Sequence, residues 1–356
     1  MRFGPDTVCV VTGGLGFIGS HFVERALALG WTVHNIDKVT YASRLDTGFG
    51  GAKYHHIKED IAELASLPFC HVVVNFAAES HVDNSIESSM PFVKSNFLGV
   101  HRLLELIRLR MFANAQRSWN HNPPVFLQIS TDEVFGDIMD GFFREDARFS
   151  PSNPYAATKA AAEMLVQAWA RTYGLPVLLT RTTNNYGPHQ HPEKLLPMAI
   201  KKCLTGEKVV VHGTGGYVRN WIHVLDNVDA IMAALQEGEI GKTYHISSPE
   251  EFSVVDVVRK VLSQFGLPYD DTTIDTSSDR SGADLRYALD CSRIRTLGWS
   301  ARRRFDEELP KIVEETRQVL VASGKPVTRS AVAGGRKLRR RMTRAQRRSR
   351  RSGRNR

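Results

Sequence analysis

A tyrosine and a lysine four positions apart could form an acid–base pair. Tyr155 and Lys159 bound the run Tyr-Ala-Ala-Thr-Lys, and residues at this spacing share one face of a helix. A nearby ammonium group favours the phenolate, so a tyrosine with an ordinary pKa of about 10 could act as a base near neutrality. Because this spacing is common by chance, its meaning depends on the motifs that accompany it.

Two adjacent carboxylates form a second candidate site. Asp132 and Glu133 follow Thr131 at the end of the apolar run of residues 125–130. In an extended chain neighbouring side chains point to opposite faces, but a turn at the end of a strand can bring both to one pocket. The alternative is that Thr131 caps a helix and the two acids are solvated.

A glycine-rich loop near the N-terminus could bind a dinucleotide. Gly13, Gly16 and Gly19 lie between an apolar run and a predicted helix, and residues 14–19 fit the pattern Gly-x-Gly-x-x-Gly. Such glycines permit a tight turn and let the backbone approach a pyrophosphate, which the helix N-terminus attracts. An ordinary glycine-rich turn is the alternative.

An acidic residue lies where such a loop would need a contact to ribose. Asp37 ends the second predicted strand, 18 residues after Gly19. A carboxylate there would bind the adenosine ribose and repel a 2′-phosphate. The sequence therefore favours NAD over NADP, although the adjacent Lys38 weakens this preference.

The elements that must position these residues alternate between strand and helix. Strands are predicted at residues 7–12, 32–37, 72–76, 125–130 and 177–180, and helices at residues 17–30, 96–111, 156–169 and 195–205. This alternation predicts an α/β fold in which a Rossmann-type doubly wound parallel sheet is followed by a smaller C-terminal substrate-binding α/β lobe.

The charge distribution separates the body of the chain from its C-terminal end. The 356 residues carry 47 Lys and Arg and 38 Asp and Glu, a formal net charge of +9. Residues 321–356 contain 14 of the basic residues and no acid, so residues 1–320 carry 33 basic and 38 acidic residues, a net charge of −5. We predict a dinucleotide-binding domain over residues 1–182, a substrate-binding lobe mainly over residues 183–320 and a disordered basic tail over residues 321–356. Residues 219–245 are predicted to return to the first domain.

The composition also limits the location of the protein and the kind of site it contains. No apolar run approaches the length of about 20 residues that crosses a bilayer, and no signal peptide is visible. The four cysteines are scattered without a Cys-x-x-Cys pair, which disfavours a disulfide framework or a zinc site. We therefore expect a cytoplasmic protein with no metal.

Together these motifs resemble the extended short-chain dehydrogenases/reductases, and in particular the dTDP-glucose 4,6-dehydratase family. The resemblance covers about residues 6–318. Besides the motifs above, it is carried by residues 76–83, Phe-Ala-Ala-Glu-Ser-His-Val-Asp, and residues 184–195, Asn-Asn-Tyr-Gly-Pro-His-Gln-His-Pro-Glu-Lys-Leu. The Asp-Glu pair and the last run are specific to the dehydratases, since related epimerases and decarboxylases lack the acid pair.

The resemblance implies a catalytic role for each residue of the two candidate sites. Tyr155, assisted by Lys159, would remove the proton from the sugar O4, and Thr131 would bind that oxygen. Glu133 would take the C5 proton, and Asp132 would protonate the leaving C6 hydroxyl. The product would be a 4-keto-6-deoxy sugar, with NAD regenerated in each cycle.

The resemblance also assigns residues to the NAD and sugar-nucleotide sites and implies a homodimer. The dimer would form through helices near residues 96–111 and 158–173. The implied NAD site consists of Gly13, Gly16, Phe17, Ile18, Gly19, Asp37, Lys38, Val39, Thr40, Asp60, Ile61, Phe76, Ala77, Ala78, Ser80, Ser95, Tyr155, Lys159 and Asn185. The implied sugar-nucleotide site consists of Ser80, Thr131, Asp132, Glu133, Asn184, Lys194, Leu195, Arg219, Asp279 and Arg280.

Several departures from the family pattern leave alternatives open. Phe135 replaces a second tyrosine, and His245 lies where the family has asparagine. The nucleotide-contacting segment at residues 279–287 is also altered, so the sequence does not decide between dTDP-glucose and UDP-glucose. A UDP-sugar epimerase or decarboxylase and a non-catalytic binding protein remain alternatives. The basic tail could contact nucleic acid or another polyanion, or be a solvated extension without a role.

Overall fold

The chain forms two compact units. The computed structural model describes residues 2–115, 123–277, 282 and 284–322. Of these, residues 2–185, 219–251 and 282–302 belong to the first unit, and residues 186–218, 252–277 and 303–322 to the second.

Residues 284–302 lie in the first unit, whereas the sequence analysis grouped them with the smaller lobe. Two contacts within that unit hold them. Phe143 and Leu289 form a parallel β-bridge, and the guanidinium of Arg286 is paired with the carboxylate of Glu251.

A seven-stranded parallel sheet forms the centre of the first unit. The strands of the chain are β1 (Val8–Thr12), β2 (Thr32–Ile36), β3 (Tyr54–Ile57), β4 (Val72–Asn75), β5 (Val125–Thr131), β6 (Val177–Thr182), β7 (Asn184–Tyr186), β8 (Val209–Val210), β9 (Val218–His223), β10 (Thr243–Ile246), β11 (Glu251–Ser253) and β12 (Ile274–Asp275). The large sheet has the order β10-β6-β5-β4-β1-β2-β3, with every neighbouring pair parallel. The order reverses between β1 and β4, where doubly wound sheets bind ligands at the carboxyl ends of the strands. The predicted fold class is confirmed.

Helices cover both faces of this sheet. The helices of the chain are α1 (Phe17–Ala28), α2 (Val82–Glu87), α3 (Met90–Phe92), α4 (Gly99–Ala115), α5 (Pro154–Tyr173), α6 (Leu195–Thr205), α7 (Val224–Glu237), α8 (Val254–Phe265), α9 (Ser292–Arg295) and α10 (Phe305–Ala322). A π-helical segment, Val93–Leu98, precedes α4, and a 3₁₀ turn, Asp132–Phe135, follows β5.

Alternate side chains of the strands build two cores. Val11 of β1 packs in a cluster with residues of α1 and α7, including Phe22 and Ile231. Val10 points to the other face, in a cluster with residues of α4 and α5 such as Leu103. Because the central strands are buried on both faces, they read as continuous apolar runs in the sequence.

The limits of α5 follow from local chemistry. Pro154 occupies the first turn, where its missing N–H costs nothing. Asn153 caps the helix, accepting a hydrogen bond from the Ala156 N–H at 2.9 Å. Gly174 ends the helix in the left-handed region, with φ of 72°. The helix is therefore longer at both ends than the predicted span of residues 156–169.

The second unit consists mainly of three helices that contact one another, α6, α8 and α10. The Phe305 ring is buried there, 4.8 Å from the Tyr186 ring and 5.4 Å from the Phe252 ring. Among the residues that the structure describes, none of the helices combines the length and apolar character needed to span a membrane. The predicted tail lies outside the described residues after position 322.

Candidate functional site

The glycine loop joins β1 to α1 and passes close to the end of β4. Gly13 has a φ of 68°, and a Cβ there would lie 2.7 Å from the backbone of Ala77. No side chain caps α1 at Gly16. The positive end of the helix dipole is therefore available to an anion such as a pyrophosphate. This geometry fits a dinucleotide.

Asp37 connects the end of β2 to this loop. Its buried carboxylate accepts hydrogen bonds from the Leu15 N–H and the Val39 N–H, both at 2.9 Å. Val39 has a φ of 61°, a strained conformation for a β-branched residue. Asp37 thus fixes the backbone on both sides of the place where a ribose would bind.

Lys38 lies among acidic and hydroxyl side chains. Its Nζ donates to Glu79 Oε1 and to Ser95 Oγ, both at 3.0 Å. Asp60 Oδ2 is 4.0 Å from the same ammonium group and 3.6 Å from that of Lys94. The Lys38 charge is therefore balanced by carboxylates, and the surroundings do not offer an unbalanced cation to a 2′-phosphate. The position of Lys38 is compatible with the expected preference for NAD.

The turn after β5 brings the two adjacent acids to one side. The Glu133 N–H donates to Thr131 Oγ1 at 3.3 Å, and Thr131 Oγ1 donates to Asp132 Oδ1 at 3.1 Å. Glu133 Oε2 accepts from Asn153 Nδ2 at 3.3 Å, next to the start of α5. Thr131 therefore caps a 3₁₀ turn, as the alternative expected, but Asp132 is buried and not solvated. The chain turns immediately after the strand, as the pocket hypothesis required, and the charge of Glu133 acts on Asp132.

Burial separates the properties of these two acids. Asp132 is 2% exposed, and its Oδ2 has no hydrogen-bond partner among the described residues. Burial, and secondly the charge of Glu133, raises the pKa of Asp132 to about 7, while Arg219 and Thr131 oppose the shift. A substantial share of Asp132 is therefore protonated at neutral pH and can donate a proton. Glu133, by contrast, is only partly buried.

Tyr155 reaches the same place from α5. Its hydroxyl is hydrogen-bonded to the side chain of Thr131. Burial, and secondly the charge of Glu133, raises its pKa above the ordinary value. This is the opposite of the direction expected from the Tyr-x-x-x-Lys spacing, because the desolvation and the two carboxylates raise the pKa of Tyr155 and only the hydrogen bond with Thr131 opposes them.

Lys159 lies one helical turn after Tyr155 and is fully desolvated. Its Nζ donates to the Ile129 carbonyl of β5 at 2.6 Å. Burial lowers its pKa to about 8, and the charge of Glu163 opposes this lowering. The ammonium therefore keeps its charge at neutral pH.

Arg219 is the cationic residue opposite the acid pair. Its guanidinium carbon lies 4.2 Å from the centre of the Tyr287 ring. Its Nη2 donates to the Asp284 carbonyl at 2.8 Å, and its charge opposes the raised pKa of Asp132. Tyr287 in turn donates its hydroxyl to Asp284 Oδ2, which also accepts from Ser152 Oγ at 2.6 Å. This arrangement holds the Arg219 guanidinium near the carboxylates. An anionic ligand could contact this cation.

The remaining residues of the implied site are distributed over both units. Phe76, Ala77 and Ala78 follow β4 directly, close to the glycine loop. Asn185 donates from Nδ2 to Thr182 Oγ1 at 3.0 Å in the first unit. Lys194 and Leu195 lie at the N-terminus of α6 in the second unit, and Asp279 and Arg280 lie outside the described residues. The others lie in the first unit: Phe17, Ile18 and Gly19 in α1, Thr40 after β2, Ile61 before β4, Ser80 before α2, and Asn184 at the start of β7.

Three residues without an individual role in the sequence analysis contact the site. Asn153 bridges α5 and Glu133. Asp284 and Tyr287 contact Arg219. The helix-capping preference of asparagine before Pro154 indicates the first. The other two lie in the nucleotide-contacting segment at residues 279–287, but nothing in the local sequence indicates that they contact Arg219.

Replacing Asp132 by asparagine should remove a pH-dependent loss of stability. The pKa of Asp132 rises from 3.8 to about 7 on folding. Between these values the folded chain binds more protons than the unfolded chain, so the wild-type protein loses stability as pH rises. The free energy of unfolding of Asp132→Asn relative to wild type should increase by about 4 kcal/mol between about pH 4 and pH 7 and stay constant above pH 7. Urea unfolding of both proteins across this range measures the difference.

The control is Asp6→Asn, because Asp6 is an exposed carboxylate of the same unit. The free energy of unfolding of Asp6→Asn relative to wild type should stay constant between about pH 4 and pH 7. If the difference between Asp132→Asn and wild type were also independent of pH, the carboxyl group of Asp132 would not be desolvated in solution.

The chain is similar to known proteins over most of its length. The family model described as GDP-mannose 4,6 dehydratase matches residues 10–312. The low-salt glycan biosynthesis protein Agl12 of Haloferax volcanii is 42% identical over 313 residues, which are 86% of this chain and 97% of that protein. A dTDP-glucose 4,6-dehydratase of Xanthomonas campestris pv. campestris is 39% identical over 324 residues, 86% of this chain and 92% of that protein.

A solved structure shares the fold. The dTDP-glucose 4,6-dehydratase DesIV of Streptomyces venezuelae, with NAD and TYD bound, superposes with a TM-score of 0.81 at 34% identity, covering 88% of this chain and 98% of that one. The matched segment contains the glycine loop, the acid pair and the Tyr-x-x-x-Lys segment. The chain therefore belongs to the dTDP-glucose 4,6-dehydratase family of extended short-chain dehydrogenases/reductases.

Proposed function

We propose that this chain is a hydro-lyase that converts dTDP-glucose to dTDP-4-keto-6-deoxyglucose and holds NAD as a cofactor regenerated in each turnover. The observation that carries the proposal is the buried Asp132, with a pKa of about 7, beside Glu133 and Tyr155. Loss of water across C5 and C6 of a sugar needs a base for the C5 proton and an acid for the C6 hydroxyl. An epimerase needs neither carboxylate.

The residues of the chain divide this work between them. Tyr155 takes the proton from the sugar O4. Thr131, which is hydrogen-bonded to the Tyr155 hydroxyl, orients the sugar O4. Glu133, the less buried acid, removes the C5 proton, and Asp132 gives its proton to the departing hydroxyl. When bound, NAD would accept and return the hydride of the sugar, and its positive ring would favour the Tyr155 phenolate.

The residues of the glycine loop and the end of β2 support the choice of cofactor. The uncapped N-terminus of α1 suits the pyrophosphate, and the carboxylate of Asp37 suits a ribose without a 2′-phosphate. Solved structures of dTDP-glucose 4,6-dehydratases with NAD bound support the same choice. The cofactor would be retained through the cycle because its hydride returns to the same sugar.

The identity of the nucleotide rests on the relatives. Several relatives that share about two fifths of their residues with this chain are named dTDP-glucose 4,6-dehydratases, which favours dTDP-glucose over UDP-glucose. UDP-glucose is retained as the second candidate because the nucleotide-contacting segment departs from the family pattern at Ser281, Ala283 and Leu285.

The outer surface of α4 and α5 supports a homodimer. The two helices pack side by side, with Trp169 Nε1 donating to Glu105 Oε1 at 2.8 Å. Large apolar side chains remain exposed on both helices, namely Leu109 and Phe112 on α4 and Met164 on α5. Large apolar side chains that are exposed in a single chain are often covered by a partner protein. We propose that a second copy of the chain covers them.

The basic tail supports a second, electrostatic contact. The 14 basic residues of residues 321–356 and the absence of acids there favour association with a polyanion. We propose that this contact is separate from turnover, because the body of the chain contains all the residues assigned to the reaction.

Purified protein should convert dTDP-glucose to a 4-keto-6-deoxy sugar without added NAD. The protein is incubated with dTDP-glucose and UDP-glucose in parallel, the sugar product is identified by NMR, and NAD is assayed after denaturation.

Glu133→Gln should lower turnover about 10²–10⁴-fold, because it removes a positioned base, and Tyr155→Phe should block the first oxidation. The exposed Glu307→Gln serves as the control and should retain full turnover.

Three results would contradict the proposal. A product epimerised at C4 would indicate an epimerase. Bound NAD with no turnover of either sugar nucleotide would indicate a non-catalytic binding protein. Normal turnover of Glu133→Gln would remove the assigned role of that carboxylate.

Met164→Glu should convert a dimer to a monomer. Met164 is 62% exposed on α5, and a charge there would be buried without a partner in the dimer. Val319→Glu is the control, because Val319 is 60% exposed on another helix, α10. Analytical ultracentrifugation should find a dimer for the wild type and the control, and a monomer for Met164→Glu. A wild-type monomer, or equal dimers in all three proteins, would exclude this surface as the interface.

Truncation after residue 322 should leave turnover unchanged and abolish binding to heparin. The full-length chain should bind heparin at low salt and lose the interaction steeply as salt rises, because condensed counterions are released on binding. Fluorescence titration of both proteins at two salt concentrations measures this. Loss of turnover on truncation would show that the tail contributes to the folded body, and undiminished heparin binding would place the contact elsewhere.

A further inference from the structure

A buried arginine connects the two segments that carry the candidate catalytic residues. Arg181 of β6 is 1% exposed. Its Nε and Nη2 donate to the carboxylate of Glu163, with distances of 2.8 to 3.1 Å. Glu163 lies on α5, one turn after Lys159 and two turns after Tyr155, so the arginine is fixed to the helix face that carries both.

The same guanidinium contacts the turn that carries the two acids. Its central carbon lies 4.7 Å from the centre of the Phe135 ring, and Phe135 is the last residue of the turn that begins at Asp132. The ring is buried and also stacks on Phe143, with centres 4.8 Å apart. Because phenylalanine has no hydroxyl, packing and the cation–π contact are what its side chain can contribute to holding the turn.

His245 fixes the remaining face of the guanidinium. Arg181 Nη1 lies 3.1 Å from His245 Nε2 and donates to the Glu145 carbonyl at 3.0 Å. Burial, and secondly the charge of Arg181, lowers the pKa of His245 to about 3. The imidazole is therefore neutral and accepts a hydrogen bond from the guanidinium. The arginine is held on three sides and cannot follow the turn if the turn moves.

We propose that Arg181 is a positioning residue: through Phe135 it holds the turn carrying Asp132 and Glu133 at a fixed place relative to Tyr155 on α5. Elimination therefore depends on the contact between the guanidinium and the Phe135 ring, whereas oxidation at C4 depends on it much less. This inference rests on the proposed dehydratase function, and it adds residues that touch neither sugar nor cofactor.

The test compares two phenylalanines that contact the same guanidinium. Phe149 also lies over Arg181, with its ring centre 5.1 Å away, but it is not part of the turn. Phe135→Leu should lower turnover of dTDP-glucose about tenfold or more, the effect of losing a desolvated cation–π contact. It should also increase the fraction of bound cofactor that absorbs as reduced nicotinamide during turnover, because oxidation proceeds and elimination lags. Phe149→Leu should give neither effect to a comparable extent.

A replacement that conserves the shape of the ring tests the same contact if Phe135→Leu does not fold. Incorporation of pentafluorophenylalanine at position 135 keeps the ring but reverses its electrostatic attraction for a cation. It should reproduce the accumulation of reduced cofactor. The melting temperature of each protein is measured alongside. The accumulation of reduced cofactor should not correlate with the loss of melting temperature.

The outcomes separate this inference from the proposed function. If the wild type forms no 4-keto-6-deoxy product, the proposed function itself is wrong. If the wild type is active and the pentafluoro protein turns over normally, or if the losses in Phe135→Leu and Phe149→Leu are equal, the cation–π contact does not position the turn. If turnover falls without accumulation of reduced cofactor, the contact does not act on elimination.

Discussion

The parallel hydrogen bonding of the central sheet is the constraint on which the candidate site depends. All seven strands point the same way, so their carboxyl ends lie at one edge. The glycine loop after β1, Asp37 after β2 and the acid pair after β5 meet at that edge for this reason. They are distant in sequence, and local structure alone would not bring them together.

Desolvation at this edge gives chemically similar residues different properties. Asp132 is buried and has a pKa of about 7, whereas its neighbour Glu133 is only partly buried and bonded to Asn153. Two carboxylates in different surroundings can serve as acid and base in one reaction, because the protonated carboxyl group donates a proton while the ionised one accepts a proton. The same desolvation raises the pKa of Tyr155, so the tyrosine needs added positive charge before it can act as a base.

A buried ion pair lies behind the site. The ion pair of Arg181 and Glu163 is buried between β6 and α5, and it is surrounded by aromatic rings and a neutral histidine. Breaking a buried pair by removing one partner is strongly destabilising, since the other charge is left without compensation. The departures from the family pattern at Phe135 and His245 both contact this arginine, so they belong to one packed cluster and are not independent substitutions.

The sequence by itself determined the order and type of the main elements and most of the candidate residues. Apolar runs predict strands that are buried on both faces. The glycine pattern is a local signal because it lies within one strand–turn–helix unit, and the Tyr-x-x-x-Lys spacing is local because it lies within one helix. The caps of α5 are also local, because Asn153, Pro154 and Gly174 act on their own backbone.

Only the tertiary structure decided the contacts between segments far apart in the chain. Asp284 and Tyr287 reach Arg219 from more than 60 residues away, and residues 284–302 join the first unit through pairings that no local pattern reveals. The direction of the Tyr155 pKa was likewise beyond the sequence, because it depends on how much water is excluded and on which carboxylates lie nearby. Spacing along a helix determines which side chains share a face, but burial by the rest of the chain determines their charge.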